Sequence, residues 1–274
     1  MNRSTSLKTM MIGIALLSSV ATQTVFADDA LQTVINGAQR SDANRARDSA
    51  RHPKETLEFF GITPEMTVVE LAPGGGWYTE ILAPYLRPHG QLIDALEDPE
   101  SKSEYSRRSF VSFQKKLAGN PSIYDKVRVT VFEPPVSQNV AAENSVDMVL
   151  TFRNIHNWMG GGDEKMKQLF KNVFSSLKSG GVFGIVEHRL PVGKMQDADA
   201  STGYVSQAYV IKLAQSVGFK LVATSEINAN PKDNADHPLG VWALPPTYAN
   251  KETDRQKYLD IGESDRMTIK LVKP

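Results

Sequence analysis

The feature that most constrains the fold is an apolar run that ends in a cluster of glycines. Residues 67–71 are apolar apart from Thr67 and Glu70, and Gly74–Gly76 follow within five residues. Glycine allows backbone conformations that a Cβ forbids and lets the chain pass close to a ligand. Helical apolar spacing resumes near Tyr78, so the order predicts a buried strand, a tight turn and a helix. Thr79 stands where a dinucleotide fingerprint needs its last glycine, so that motif fails.

The rest of the chain repeats the alternation of strand and helix. The patterns predict helices over 78–86, 100–117, 164–177 and 204–217. They predict strands over 67–71, 91–96, 127–132, 148–152, 182–186, 219–224 and 267–272. This order favours an α/β fold with a doubly wound, mostly parallel seven-stranded sheet and helices on both faces. Ligands of such sheets bind beyond the carboxyl ends of the strands.

The glycine segment resembles the first motif of class I S-adenosylmethionine-dependent methyltransferases. Glu70 matches the acid of that motif, and Ala72, Gly74 and Gly76 match its three small positions. Alanine therefore replaces the first glycine. The resemblance covers about 53–274 and implies a Rossmann-like fold with an antiparallel seventh strand. It also implies S-adenosylmethionine as cofactor, with Glu70 and residues 72–76 (Ala72, Gly74, Gly75, Gly76) around its methionine part.

Acidic residues follow the second and third predicted strands. The resemblance assigns Glu97, or failing it Asp98, to the ribose hydroxyls, although spacing from Glu70 falls on Leu96. It assigns Glu133 to the exocyclic amine of adenine. Solvated turn residues and a capping acid would have the same sequence, so both alternatives stay open.

The densest group of polar side chains follows the fourth predicted strand, from Arg153 to Trp158. We expect His156 to be the catalytic base, because neutral imidazole takes a proton near neutral pH. The other catalytic candidates are Arg153, Asn154 and His188. Gly160–Gly162 predict a mobile loop over a cleft. With segments 73–79 and 262–267, this run resembles a branch of exported, predicted methyltransferases, for which the sequence gives no substrate.

Three histidines, His156, His188 and His237, follow successive predicted strands and could converge on one edge of the sheet. A metal held there for hydrolysis is an alternative, but the spacing is not a local metal motif and no metal is expected. Arg153 and Arg189 could neutralise an acidic acceptor or pair with Glu187. An aromatic acceptor pocket or ordinary core packing are both possible for Trp77, Tyr78, Trp158, Tyr204 and Trp242.

The N-terminus has the pattern of a secretory signal. Arg3 and Lys8 precede an apolar run over 10–20, and Val25-Phe26-Ala27 matches a signal peptidase site. We expect residues 1–27 to be removed, leaving a helical extension over 28–60 and a methyltransferase-like domain over 61–274. A long loop is expected over about 228–262. The run is too short to span a bilayer, so no membrane anchor is expected after cleavage, and the periplasm is the expected location.

Charge and composition favour a small-molecule partner. Without Arg3 and Lys8, 29 of the 31 basic side chains remain beside 31 acidic ones, and there is no cysteine. No basic tract for nucleic acid is present, and the sequence does not fix the oligomeric state. An exported compartment is not known for a supply of this cofactor. Two hypotheses therefore remain: methyl transfer to a small acceptor, or a non-catalytic binding protein that keeps the cofactor or nucleoside pocket.

Overall fold

A computed structural model of the protein describes Met1 and residues 29–274, and it contains one seven-stranded sheet. The strands lie in the order β3-β2-β1-β4-β5-β7-β6, with β7 antiparallel to both of its neighbours and the other pairs parallel. The predicted fold class is confirmed. The strands are β1 (Thr67–Leu71), β2 (Gln91–Leu96), β3 (Arg128–Val131), β4 (Val146–Phe152), β5 (Leu177–His188), β6 (Lys220–Ser225) and β7 (Arg266–Val272).

The helices cover both faces of this sheet. Helix α1 occupies 29–35, and a 3-10 helix occupies Gly240–Ala243. The others are α2 (Asp42–Arg45), α3 (Asp48–Arg51), α4 (Pro53–Phe60), α5 (Thr79–Leu86), α6 (Glu104–Gly119), α7 (Pro121–Tyr124), α8 (Ile155–Met159), α9 (Asp163–Ser176), α10 (Gln207–Ser216) and α11 (Arg255–Ile261). Alternate residues of one strand enter different cores: Val69 and Leu71 pack with α9 and α10, whereas Val68 packs with α4 and α5.

The chain reverses its direction of winding at β1. Strand β1 pairs with β2 on one side and with β4 on the other, and both pairs are parallel. The connection from β1 leads outward to β2 and β3, and the chain then returns across the sheet to β4. Such a switch point opens a crevice at the carboxyl ends of the two strands. In this chain the two strand ends carry the glycine turn and Arg153.

Local chemistry explains where the structure differs from the sequence prediction. Helix α6 begins at Glu104 rather than 100, because the Ser103 side chain accepts from the Ser106 N–H and caps it there. The predicted loop over 228–262 contains the 3-10 helix and α11, and α11 buries only Tyr258, so its apolar pattern is weak. Residues 160–162 form a hydrogen-bonded link between α8 and α9, where the N–H of Gly162 donates to Met159. The mobile loop predicted there is therefore a short turn.

The N-terminal segment is fastened to the domain through Trp77. The indole lies between two guanidinium groups, with Arg40 at 4.8 Å and Arg51 at 4.7 Å from the ring centroid. Its Nε1 donates to the Asn44 carbonyl at 3.1 Å. Stacked guanidinium groups of this kind are favoured by the ring quadrupole. Trp77, which the sequence offered as part of an aromatic acceptor pocket, is therefore a structural anchor for α2 and α3.

A second attachment is ionic. Glu263 accepts from Arg47 at 2.6 Å, from Arg51 at 3.2 Å and from Arg266 at 2.9 Å. It thereby joins α3 to the start of β7.

None of the helices within 29–274 combines the length and apolar character that crossing a bilayer requires. The predicted signal segment and its cleavage after Ala27 fall on residues that the structure does not describe.

Glu263 should make the stability of the protein depend on pH in the acid range. Burial alone would raise the pKa of Glu263, but Arg266, Arg51 and Arg47 outweigh it and lower the pKa from 4.5 to about 2. A carboxyl with a lowered folded-state pKa stabilises the fold above its unfolded pKa and loses that contribution as the pH falls. Between pH 4.5 and 2 the unfolding free energy of the wild type should therefore fall by about 3 kcal/mol more than that of Glu263→Gln. Denaturant titrations at a series of pH values measure the unfolding free energy. The same fall at acid pH in the variant and the wild type would contradict the lowered pKa of Glu263.

Candidate functional site

The glycine turn forms the first wall of the candidate site. Ala72, Gly74 and Gly76 have φ of 47°, 58° and 73°, so three residues of the turn are left-handed. Ala72 occupies a conformation that favours glycine, which is a local strain that often marks a functional site. Gly74 and Gly75 are exposed, and a Cβ on either would meet no other atom within 4 Å. The turn therefore borders open space in which a ligand can contact the backbone.

Asn154 holds this turn in place from the next strand. Its Nδ2 donates to the carbonyl of Leu71 at 3.1 Å and to that of Ala72 at 3.2 Å. It also lies 3.3 Å from Thr151 Oγ1. The amide of this catalytic candidate thus supports the strained turn. The sequence placed Asn154 at the correct strand end, but its role depends on the β1–β4 pairing.

Glu70 points into the protein beneath the turn, and its Oε2 accepts from Thr79 Oγ1 at 2.9 Å. It thereby braces the start of α5. Asp94 is its register partner on β2, and both Asp94 oxygens are buried without a hydrogen-bond partner in the described part of the chain. Burial raises the pKa of Glu70 to about 7, and burial together with the charge of Glu70 raises the pKa of Asp94 well above 3.8.

Sequence reasoning missed Asp94. The only signal was a single acid inside the otherwise apolar run of β2. The two acids share a low-dielectric layer below the glycine turn, where burial and the charge of Glu70 oppose ionisation of Asp94.

The three acids assigned to ribose and adenine lie together beyond β2 and β3. Glu97 Oε2 accepts from Ser109 Oγ at 3.2 Å. Glu133 accepts from the Asp98 N–H at 3.0 Å and from Ser101 Oγ at 2.5 Å. Asp98 in turn accepts from the Glu100 N–H. Glu133 and Asp98 therefore order the loop that follows β2. Glu97 directly follows β2 and is the closest of the three acids to the glycine turn in sequence.

Two histidines and one glutamate meet at the carboxyl ends of β4 and β5. Glu187 Oε1 lies 3.0 Å from His156 Nδ1 and accepts from the His188 backbone N–H at 2.8 Å. The two imidazole centroids are 5.3 Å apart. A carboxylate on Nδ1 fixes the ring and leaves Nε2 as the atom that exchanges a proton. His156 is thus held as in a carboxylate–imidazole dyad.

His188 is a weak base in this environment. Burial lowers the pKa of His188 well below 6.5, and the charges of His156, Arg153, Arg266 and Arg51 lower it further. His156, Glu187 and His188 have ligand atoms within 4.8 Å of one another. The same arginines oppose a divalent cation at that position. The geometry therefore favours proton transfer over metal binding.

The third histidine belongs to a separate cluster. His237 Nε2 lies 2.9 Å from Asp233 Oδ1, and the Tyr204 hydroxyl donates to the same carboxylate at 2.9 Å. The Tyr204 ring lies between His188 and His237, at 6.3 Å and 6.5 Å from their centroids. His237 therefore does not join the dyad as the sequence suggested.

Only one of the aromatic candidates faces solvent. Trp77, Tyr78, Trp158 and Tyr204 are buried, whereas Trp242 is 36% exposed. Trp242 meets His156 edge-on at 6.0 Å between centroids and lines a depression of about 450 Å³. Ser201, Thr202, Pro238 and Leu239 form other parts of its wall. His156 and Glu187 do not line this depression, and the Trp242 ring is the contact between its wall and the dyad.

The two arginines left open by the sequence differ sharply. Arg189 forms paired hydrogen bonds to Glu226 at 2.7 and 2.8 Å and to Asp265 at 2.8 and 2.9 Å, and so does not pair with Glu187. Arg153 lies directly after β4 with φ of 62°, and its N–H donates to the Val186 carbonyl at 2.7 Å. Arg189 is electrically balanced, whereas Arg153 has a strained backbone and directly follows β4.

Several solved structures have a fold similar to that of this chain. A SAM-dependent methyltransferase from Aquifex aeolicus is 13% identical, covers 90% of this chain and 98% of its own, and has a TM-score of 0.55. The pyocyanin biosynthetic protein PhzM is 12% identical over 85% of this chain and 56% of its own, with a TM-score of 0.53. No model of a known protein family matches the chain. No curated protein matches it in sequence.

The chain thus has the Rossmann-like methyltransferase fold. A third similar structure is the [4+2]-cyclase SpnF, 13% identical over 92% of this chain and 95% of its own, with a TM-score of 0.55. One fold therefore accompanies different activities in these proteins. Function must be argued from the residues at the carboxyl ends of the strands.

The buried acids predict a pH-dependent stability. A carboxyl with a raised folded-state pKa destabilises the fold as the pH rises above its unfolded pKa, because only the unfolded chain ionises freely. We expect Asp94→Asn to raise the unfolding temperature by several degrees at pH 8 and little at pH 4. Asp236→Asn, at an exposed position, is the matched control. Equal effects of Asp94→Asn at both pH values would show that the pKa of Asp94 is not raised in the folded protein.

Proposed function

We propose that the protein transfers a methyl group from S-adenosylmethionine to a small-molecule acceptor in an exported compartment. The observation that carries this proposal is the open, left-handed turn at Ala72–Gly76 beside the His156–Glu187 dyad. The two lie at the ends of adjacent strands, β1 and β4, with β5 next to β4. Donor and proton acceptor would therefore meet at the switch point of the sheet.

The residues present fit the cofactor. Gly74 and Gly75 leave a cradle in which a Cβ would point into open space, as contact with the methionine part requires. Glu97 lies beyond β2, where a carboxylate can accept from the ribose hydroxyls. Phe132, packed against Trp158 with centroids 5.4 Å apart, gives an apolar neighbour for a purine ring. Glu133 is occupied by Asp98 and Ser101, which favours an indirect role for it.

The chemistry needs little from the protein beyond position and one proton transfer. The bound cofactor supplies a methyl group activated by its sulfonium. Glu187 orients His156, and His156 Nε2 takes the proton that an attacking hydroxyl or amine loses. Asn154 keeps the turn in place and thereby fixes the distance between donor and acceptor. Trp242 meets the His156 ring edge-on and helps to fix its orientation.

A binding protein without catalysis is the competing function. Ala72 favours it, since alanine in a left-handed turn is strained where the methyltransferase motif has glycine. The dyad opposes it, because a buried His–Glu pair at a strand end has no evident use in binding alone. Binding and turnover must therefore be measured separately.

Gly75 offers a direct test of the cofactor position. A side chain at this position meets no protein atom within 4 Å, so Gly75→Val should leave the fold intact. If the cofactor lies against the turn, the same side chain displaces it. We expect affinity for S-adenosylhomocysteine, measured by calorimetry, to fall at least tenfold.

Gly119→Val is the matched control, because Gly119 also has open space around its Cβ position but lies at the end of α6. Its affinity should stay within twofold of the wild type. Equal affinities for the Gly75 variant and the wild type would place the ligand elsewhere.

His156 tests the reaction. We expect His156→Gln to bind S-adenosylhomocysteine normally and to lose about 10²–10⁴-fold in turnover with a hydroxyl or amine acceptor. Formation of S-adenosylhomocysteine during an acceptor screen measures turnover, and His89→Gln, at an exposed histidine, is the control. Unchanged turnover in the variant would remove His156 from the mechanism. Tight binding without any turnover in the wild type would favour the binding protein.

A further inference from the structure

Arginines gather where the N-terminal segment meets the ends of β4 and β7. Arg47, Arg51 and Arg266 all donate to Glu263, and Arg153 influences Arg51 electrostatically. Arg51 and Arg266 are buried, with 4% and 2% exposure. Glu263 balances one of these four charges. Buried charge normally comes with a partner, so this excess calls for an explanation.

The hydrogen bonds of the cluster also leave buried guanidinium N–H groups without an acceptor. Glu263 Oε1 accepts from Arg47, and its Oε2 accepts from Arg51 and Arg266. Arg266 Nη2 also donates to the Ala50 carbonyl. Arg51 Nη1 and Arg266 Nε are buried and have no hydrogen-bond partner among the described residues. A guanidinium presents its N–H groups as a fork that matches two oxygens of a carboxylate or phosphate.

The cluster adjoins the candidate site. Arg153 follows β4 directly and lies one residue before Asn154, which holds the glycine turn. Arg266 is the register partner of His188 on β5. The cations also affect one another: burial and Arg153 lower the pKa of Arg51 to about 8, and burial and Arg266 lower the pKa of Arg153 to about 10. An anion placed among them would relieve this repulsion.

We propose that Arg51 and Arg153 form a subsite for an anionic group, a carboxylate or a phosphate, on the methyl acceptor. This inference rests on the proposed function, since it names the acceptor class of the same site. Arg266 and Glu263 hold Arg51 in position, and Arg51 also lies over the Trp77 ring. The N-terminal segment thereby contributes a binding residue through α3. The acceptor is anchored by its charge while its nucleophile faces His156.

A purely structural role leaves part of the cluster unexplained. Glu263 already satisfies Arg51 Nε and Arg266 Nη1, and this suffices to fasten α3 to β7. It does not account for Arg153, which directly follows β4 and has a strained φ of 62°. Arg189, at the end of β5, shows the contrast, because two carboxylates balance it.

The test is a titration followed through the Nε–Hε signals of the arginines in ¹⁵N-labelled full-length protein. The probes are inorganic phosphate and benzoate, with benzamide as the neutral analogue of benzoate, all at constant ionic strength. We expect saturable shifts of the Arg51 and Arg153 signals with phosphate or benzoate and none with benzamide. Saturation by only one of the two anions would identify a phosphate or a carboxylate as the group bound.

Variants make the assignment specific. Arg153→Gln should weaken anion binding at least tenfold at Arg51, whereas Arg189→Gln, with the same change in charge at a balanced arginine, should stay within twofold. The unfolding temperature of each variant verifies that it is folded. Shifts that rise linearly without saturation, or equal shifts with benzamide, would overturn the subsite, as would unchanged anion binding in folded Arg153→Gln.

The same samples separate this inference from the proposed function. S-adenosylhomocysteine is added to wild type after each anion titration. Cofactor binding without anion binding would overturn the subsite and leave methyl transfer standing. Anion binding without cofactor binding would overturn the proposed function, and with it the assignment of the anion to a methyl acceptor.

Discussion

The parallel pairing of β1 with β4 is the constraint on which the candidate site depends. Its register, with Leu71 opposite Thr151, brings Ala72 beside the segment that starts at Arg153. Asn154 then reaches the carbonyls of the turn, and this contact keeps three left-handed residues in place. Without that pairing the glycines would form an ordinary loop. With it, the open backbone turn and the segment that carries His156 lie at the ends of adjacent strands.

Charge divides the site into two regions. On the α5 side of the sheet, Glu70 and Asp94 lie buried under the turn, and burial is the main cause of their raised pKa values. Toward α3 and β7, burial lowers the pKa values of Arg51 and Arg153, and neighbouring arginines lower them further. A cationic donor would favour the ionised form of the acids, and an anionic acceptor would relieve the repulsion among the arginines. Both proposals therefore follow from one distribution of charge.

Local patterns were sufficient for the fold. Strands β1 and β2 have the predicted bounds, because apolar runs bounded by glycine turns leave little choice of register. For the site, the sequence predicted which residues follow each strand, but not which of them lie close together. Asp94, Arg51 and Arg266 were missed as site residues, since their environment arises from packing between segments far apart in sequence. His237 follows a strand as the pattern required, yet Tyr204 separates it from the other histidines.

A crystal structure of the protein with S-adenosylhomocysteine at saturating concentration would test the central claim most directly. We expect the homocysteine part to lie against the backbone of Gly74 and Gly75, with the sulfur directed toward the end of β4 and the His156 side chain. The space beyond the sulfur should open toward Arg153. Ligand bound instead in the depression beside Trp242, or a glycine turn that stays empty at saturation, would contradict it.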